Sequence, residues 1–109
     1  MCYKNILYNV NRNITKPGLE CSYIDFVEEL DEYLLSTYPK HYLGLQLYQD
    51  DYISNIFHVI ASYNDIPGLY QVGPSISDYI SNLYDSVWGN SVERTSVFSY
   101  LTSQKILSW

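Results

Sequence analysis

A chain of 109 residues, 47% of them apolar, is the size of one ordinary domain and too apolar to remain disordered. Six Lys and Arg against twelve Asp and Glu give a net charge of −6. That sign repels a phosphate backbone and an anionic bilayer alike, so neither direct nucleic-acid binding nor membrane association is expected. Cys2 and Cys21 make neither a CxxC pair nor a disulfide framework. No apolar run nears the roughly 18 residues of a membrane span. Asn5, Asn9, Asn11 and Asn13 interrupt any signal-peptide core, and a cytoplasmic location is the default expectation.

In chain order, Tyr3, Ile6, Leu7 and Val10 have helical spacing. The asparagines around them are poor helix formers, so a strand or hairpin over residues 3–14 stays open. Thr15-Lys16-Pro17-Gly18 reads as a turn. A helix is expected from about Tyr23 to Thr37, capped by Ser22 with Asp25 and stopped by Pro39. Its apolar face is Tyr23, Phe26, Val27, Leu30 and Leu34. Residues 42–48 alternate Leu43, Leu45 and Leu47 with Gly44 and Gln46, which suits a short strand or a connecting turn.

A third segment is read as the most buried helix. It starts at Asp50 or Asp51, presents Ile53, Ile56, Phe57 and Ile60, and ends near Asn64. A fourth helix opens at Ser75 with Ile76, Ile80, Leu83 and Val87 inward, and stops at Gly89. A fifth follows from Asn90 and Glu93, with Val97, Leu101 and Phe98 facing the core, and its tail runs from Lys105 to Trp109. The expected fold is mainly α: one domain over residues 1–109, a small antiparallel bundle of four to five helices.

Chemistry is sparse. Ser54 and His58 fall at i, i+4 on the third segment, as a nucleophile and base would. Nothing supplies an oxyanion site, and a helix rich in Ser produces such a pair by chance, so His58 is read as an ordinary polar-face histidine. Cys2, Cys21, His41 and His58 lack metal-ligand spacing. Isolated glycines make no phosphate loop. No enzyme, metal or cofactor is therefore expected.

One surface stands out. Asp25, Glu28, Glu29 and Glu32 recur at i, i+3, i+4 and i+7, with Asp31 and Tyr33 beside them and no Lys or Arg from Leu19 to Pro39. Like charges at that spacing cost a helix roughly 0.2–0.5 kcal/mol each. A solvated face and a partner-binding face both remain open. Thirteen tyrosines add contact-forming side chains, several off the inferred core faces.

The run Ser75-Ile76-Ser77-Asp78-Tyr79 resembles a helix-starting segment in immunity proteins of the DNase colicins. The Asp-Leu-Ile-Tyr-Tyr-Pro motif of that family is absent, and no residue role is carried over. The reading is an inhibitor of a basic protein, a toxin or nuclease, with an immunity protein as its leading form. Its contact residues would be Asp25, Glu28, Glu29, Asp31, Glu32 and Tyr33, then Asp50, Asp51, Tyr52, Asp78, Tyr79 and Asp85. The alternatives are an anti-defence inhibitor or DNA mimic, and a structural subunit pairing with itself. The oligomeric state stays open.

Overall fold

The computed structural model describes residues 5–103, with side chains from 6 to 97. It is not a helix bundle. Strand β1 (Asn5–Thr15) leads into helix α1 (Glu20–Thr37), then strands β2 (Tyr42–Gln49) and β3 (Ile56–Asn64), helix α2 (Leu69–Val87) and strand β4 (Val92–Ser103). The sheet order is β2-β3-β1-β4, and every described pairing is antiparallel. This β-α-β-β-α-β order, with β3 inserted between β1 and β2, is the ferredoxin-like plait. Both helices pack on one face of the sheet.

Helix α1 forms where the sequence places it, three residues longer at its start. Tyr23, Val27, Leu30 and Leu34 are its buried stripe. Ser22 lies inside the helix rather than capping it. Leu19 is the cap residue and makes no side-chain cap bond. Pro39 ends the element as expected, with Tyr38 at the C-terminal boundary.

The third and fifth expected helices are strands. In β3, Phe57, Val59, Ala61 and Tyr63 are buried against the helices and alternate with Ile56, His58, Ile60 and Ser62 on the other face. The helical pattern drew Ile56, Phe57 and Ile60 from both faces of one strand. Two-sided apolar character is expected of a central strand, and β3 is paired on both edges. Strand β4 likewise replaces the helix read from Asn90. Its side chains at Phe98 and Leu101, and the tail Lys105 to Trp109, lie outside the described residues, as does Tyr3. The two strand alternatives near residues 3–14 and 42–48 are β1 and β2, members of the one sheet rather than an added hairpin.

Helix α2 starts six residues before Ser75, at Leu69, behind Gly68. Gly68 has φ +99, and a Cβ there would stand 3.2 Å from the His41 ring, whose Nε2 lies 3.0 Å from the Pro67 carbonyl oxygen. A left-handed backbone and a close neighbour both call for glycine. No helix among the described residues is long and apolar enough to cross a membrane.

Phe57 is fully buried at the centre of this packing and touches Tyr23 at 4.9 Å between ring centroids. Phe57→Ala should cost about 3–5 kcal/mol in urea unfolding. Glu29→Ala, on the exposed face of α1, should stay within about 0.5 kcal/mol.

Candidate functional site

Between the sheet and α2 lies a cavity of about 310 Å³, at the small end of ligand pockets. Its sheet wall carries Asn9, Asn11 and Asn13, every second residue of β1. Period-two alternation puts these three on one face, spaced roughly 6.6 Å apart, while Ile6, Tyr8, Val10 and Ile14 point the other way. The central strand thus turns its polar residues toward the helices. The opposite wall is α2 from Leu69 to Tyr84, including Gly73, Pro74 and Ser77, with Leu30 of α1 beside it. A Cβ on Gly73 would meet nothing within 4 Å.

At one end the cavity meets a buried polar cluster. Asn13 is 1% exposed, and its Nδ2 donates to the Tyr23 hydroxyl at 2.7 Å and to the Tyr84 hydroxyl at 3.4 Å. The two hydroxyls are 2.8 Å apart. Asn13 thereby joins β1 to α1 through Tyr23 and to α2 through Tyr84. Rings surround the cluster: Tyr23 lies 5.8 Å from Trp88, and Phe26 meets Tyr84 edge-on at 5.1 Å. The side-chain oxygens of Asn9 and Asn13 are buried with no hydrogen-bond partner.

Arg94 stands opposite Asn13 on β4 and brings positive charge to the cavity wall. Its guanidinium carbon lies 4.2 Å from the centre of the Tyr84 ring, a cation–π distance. Burial pushes the Tyr84 phenol far above its ordinary value, helped by Tyr23 and opposed by Arg94 and Asn13. Burial also raises Tyr23, against the bonds from Tyr84 and Asn13. Both phenols therefore stay neutral at physiological pH.

The residues expected from the sequence are not brought together here. Asp25, Glu28, Glu29 and Glu32 are exposed along α1, so the acidic stripe is a surface as read. Asp31 is turned inward. Its Oδ1 accepts from the Tyr42 hydroxyl at 2.7 Å and from the Leu45 amide at 3.0 Å, pinning α1 to β2 where the register shifts. Gly44 takes φ +138 at that bulge. Tyr33 and Tyr79 stack at 4.5 Å, joining α1 to α2.

Asp50 accepts from the amides of Tyr52 and Ile53 in the β2–β3 turn, and those bonds hold its carboxyl below the usual range. Asp51 and Tyr52 are exposed beside it, and Asp78 and Asp85 are exposed on α2. The Ser54 and His58 pair dissolves: Ser54 sits in the turn and donates to Glu20, while His58 lies on β3 opposite Arg12. No group of three or more metal-ligating residues converges among the described residues. Sequence reasoning passed over Asn9, Asn11, Asn13 and Arg94, and it set Tyr84 off the core face of its helix, where the structure buries it. The asparagine alternation was the available signal.

Searched by sequence, the chain matches no family model and no curated protein. Solved structures do match. One, from Nitrosomonas europaea, is described as a "putative antibiotic biosynthesis monooxygenase"; it superposes with a TM-score of 0.67 at 9% identity, over 89% of each chain. A protein of the same description from Bordetella bronchiseptica gives 0.62 at 10% identity, over 95% of this chain and 100% of that one. SnoaB, a cofactor-independent oxygenase from Streptomyces nogalater, gives 0.55 at 11%, over 97% and 96%. The chain has their fold.

At these identities the likeness is one of fold. It still corrects the reading of a helical immunity protein or toxin inhibitor, and with it the exclusion of enzymes. The helical part gives way to an α+β sheet, and the exclusion of enzymes, which rested on missing sequence motifs, gives way to a fold that proteins described as oxygenases use.

The raised phenols give a pH signature. A group with a raised folded value contributes stability that is complete below its unfolded value of about 10 and lost as pH rises through the folded one. The unfolding free energy of Tyr84→Phe should therefore fall less steeply above pH ~10 than that of the unchanged chain. Urea titrations at stepped alkaline pH would read the two slopes, and equal slopes would place the Tyr84 phenol in ordinary solvent.

Proposed function

We propose that the chain binds a small, flat, largely apolar molecule in the cavity between sheet and α2, and that it oxygenates that molecule. The observation that carries the binding half is the cavity itself: apolar for most of its wall, with a few convergent polar groups at Asn9, Asn11, Asn13, Tyr84 and Arg94. That combination is the default mark of a ligand site. Support for the chemical half comes from the fold shared with proteins described as monooxygenases, and with an oxygenase described as cofactor-independent.

Oxygenation of that kind constrains the substrate. With no other reductant, the substrate must itself give electrons to dioxygen, which favours an electron-rich hydroxyarene. Its hydroxyl proton passes to solvent, and the ionised ring adds dioxygen at carbon to form a C–O bond. The O–O bond then breaks as the C–H bond at that carbon gives up its proton; one oxygen stays as a carbonyl, and the other leaves as water with that proton and one returned from solvent. Arg94 would favour the ionised ring by charge, and the apolar walls would keep that charge unscreened. The asparagine row would orient the ring against the sheet. Tyr84, neutral at working pH, would serve as a hydrogen-bond donor rather than a base.

A suitable probe is 1,5-dihydroxynaphthalene, which with one dioxygen gives a hydroxynaphthoquinone and one water. Oxygen uptake and quinone absorbance should rise together, one for one, above the protein-free rate. Gly73→Phe, which fills the cavity from a position with room for a side chain, should cut the rate at least about tenfold. Arg94→Gln should cut it about tenfold, the loss of one charge–charge contact of ~1.4 kcal/mol. Quinone formation no faster than in buffer would sink the oxygenase half of the proposal.

A further inference from the structure

The polar cluster at the end of the cavity has a hydrogen-bond remainder. Asn13 Nδ2 spends its two protons on Tyr23 and Tyr84, and the two phenols share one proton between them. One phenolic proton is left over, and so is Asn13 Oδ1, which is buried without a donor. Turning the amide over does worse. Oδ1 would then accept from Tyr23 and Tyr23 from Tyr84, leaving both amide protons stranded. The orientation with one donor and one acceptor unspent is the favoured one.

The location of that remainder is informative. Asn13 and Tyr84 both line the cavity, whereas Tyr23 is fully buried behind them. When Tyr23 donates to the Tyr84 oxygen, the proton of Tyr84 itself is free to point into the cavity. Asn13 then offers an acceptor, Oδ1, on the same amide whose Nδ2 lies 3.4 Å from the Tyr84 hydroxyl. The last torsion of an Asn is soft, so a small turn of the amide, with Nδ2 still on the Tyr23 hydroxyl, opens Oδ1 to an arriving donor. An unmet buried acceptor is costly, and a ligand donor relieves that cost.

We propose that the ligand completes this pair: the cavity takes a planar molecule with a donor beside an acceptor on one edge, as in a lactam. The ligand N–H meets Asn13 Oδ1 and its carbonyl accepts from Tyr84, closing a ring of hydrogen bonds through Tyr23. Tyr23 is a positioning residue, setting the direction of the Tyr84 proton without touching the ligand. Rings of this kind reinforce one another in a low-dielectric site. The inference rests on the cavity being a ligand site, as proposed above.

The test is calorimetric titration of the full chain with 2-quinolone, N-methyl-2-quinolone and naphthalene. The first carries the whole edge, the second lacks the donor and the third lacks both groups. 2-Quinolone should bind at least about tenfold more tightly than either of the others, ~1.4 kcal/mol for the donor–acceptor edge. Tyr84→Phe should remove that advantage, and Tyr23→Phe should reduce it several-fold. Both should leave naphthalene unchanged, whereas a general structural loss would weaken all three. Equal affinities for 2-quinolone and naphthalene on the unchanged chain would overturn the edge, with water completing the pair, while leaving the cavity a ligand site. Failure of all three to bind, or binding indifferent to Gly73→Phe, would overturn the cavity reading and this inference with it.

Discussion

The amide of Asn13 holds the two helices to the sheet at one point. A carboxamide buried near the end of a central strand is costly unless its hydrogen bonds are made. Here Nδ2 reaches one hydroxyl from each helix. The tilt of α1 and α2 over the sheet is therefore set by a polar contact, with the aromatic rings of Tyr23, Phe57, Phe26 and Trp88 packed around it. The space left beside that contact, under the start of α2, is the cavity. Structure and candidate site share the same residues.

A second polar contact fixes the far side of the sheet. Asp31 leaves the acidic row of α1 to bind the Tyr42 hydroxyl and the Leu45 amide. Burial pushes the Tyr42 phenol far up, with Asp31 adding to the rise, so the bond stays phenol to carboxylate. It secures the bulge through which β2 meets β3. Charge on the α1 surface and order in the sheet edge thus come from neighbouring positions on one helix, one facing out and one facing in.

Legibility followed the period of the apolar pattern. Helix α1 was plain, because Tyr23, Val27, Leu30 and Leu34 share one stripe and Pro39 supplies a stop. The strands were not, and β3 shows why. A strand apolar on both faces contains every helical spacing by accident, so Ile56, Phe57 and Ile60 imitated a wide helical face. Length would have arbitrated, since the run from Ile56 to Asn64 is short and rich in β-branched and aromatic residues. Strand β1 carried a cleaner signal in its alternating asparagines, which were weighed as poor helix formers and not as one polar face. The candidate site was hidden for a related reason. Asn13 meets Arg94 only through the sheet register, and Tyr23 and Tyr84 only through the packing of both helices on that sheet.

That register has a consequence for how the chain reaches its native state. Strand β1 lies between β3 and β4, and β4 is the final strand of the order. Strand β1 therefore waits with both edges unpaired until β3 is made, and with one edge unpaired until β4 follows α2. Non-local pairings of this kind fold slowly, because loop closure precedes any gain from contact. Exposed edges invite pairing with other chains meanwhile. The asparagines of β1 then act earlier than any ligand. By lowering the apolar content of the strand that waits longest, they make it a poor template for aggregation.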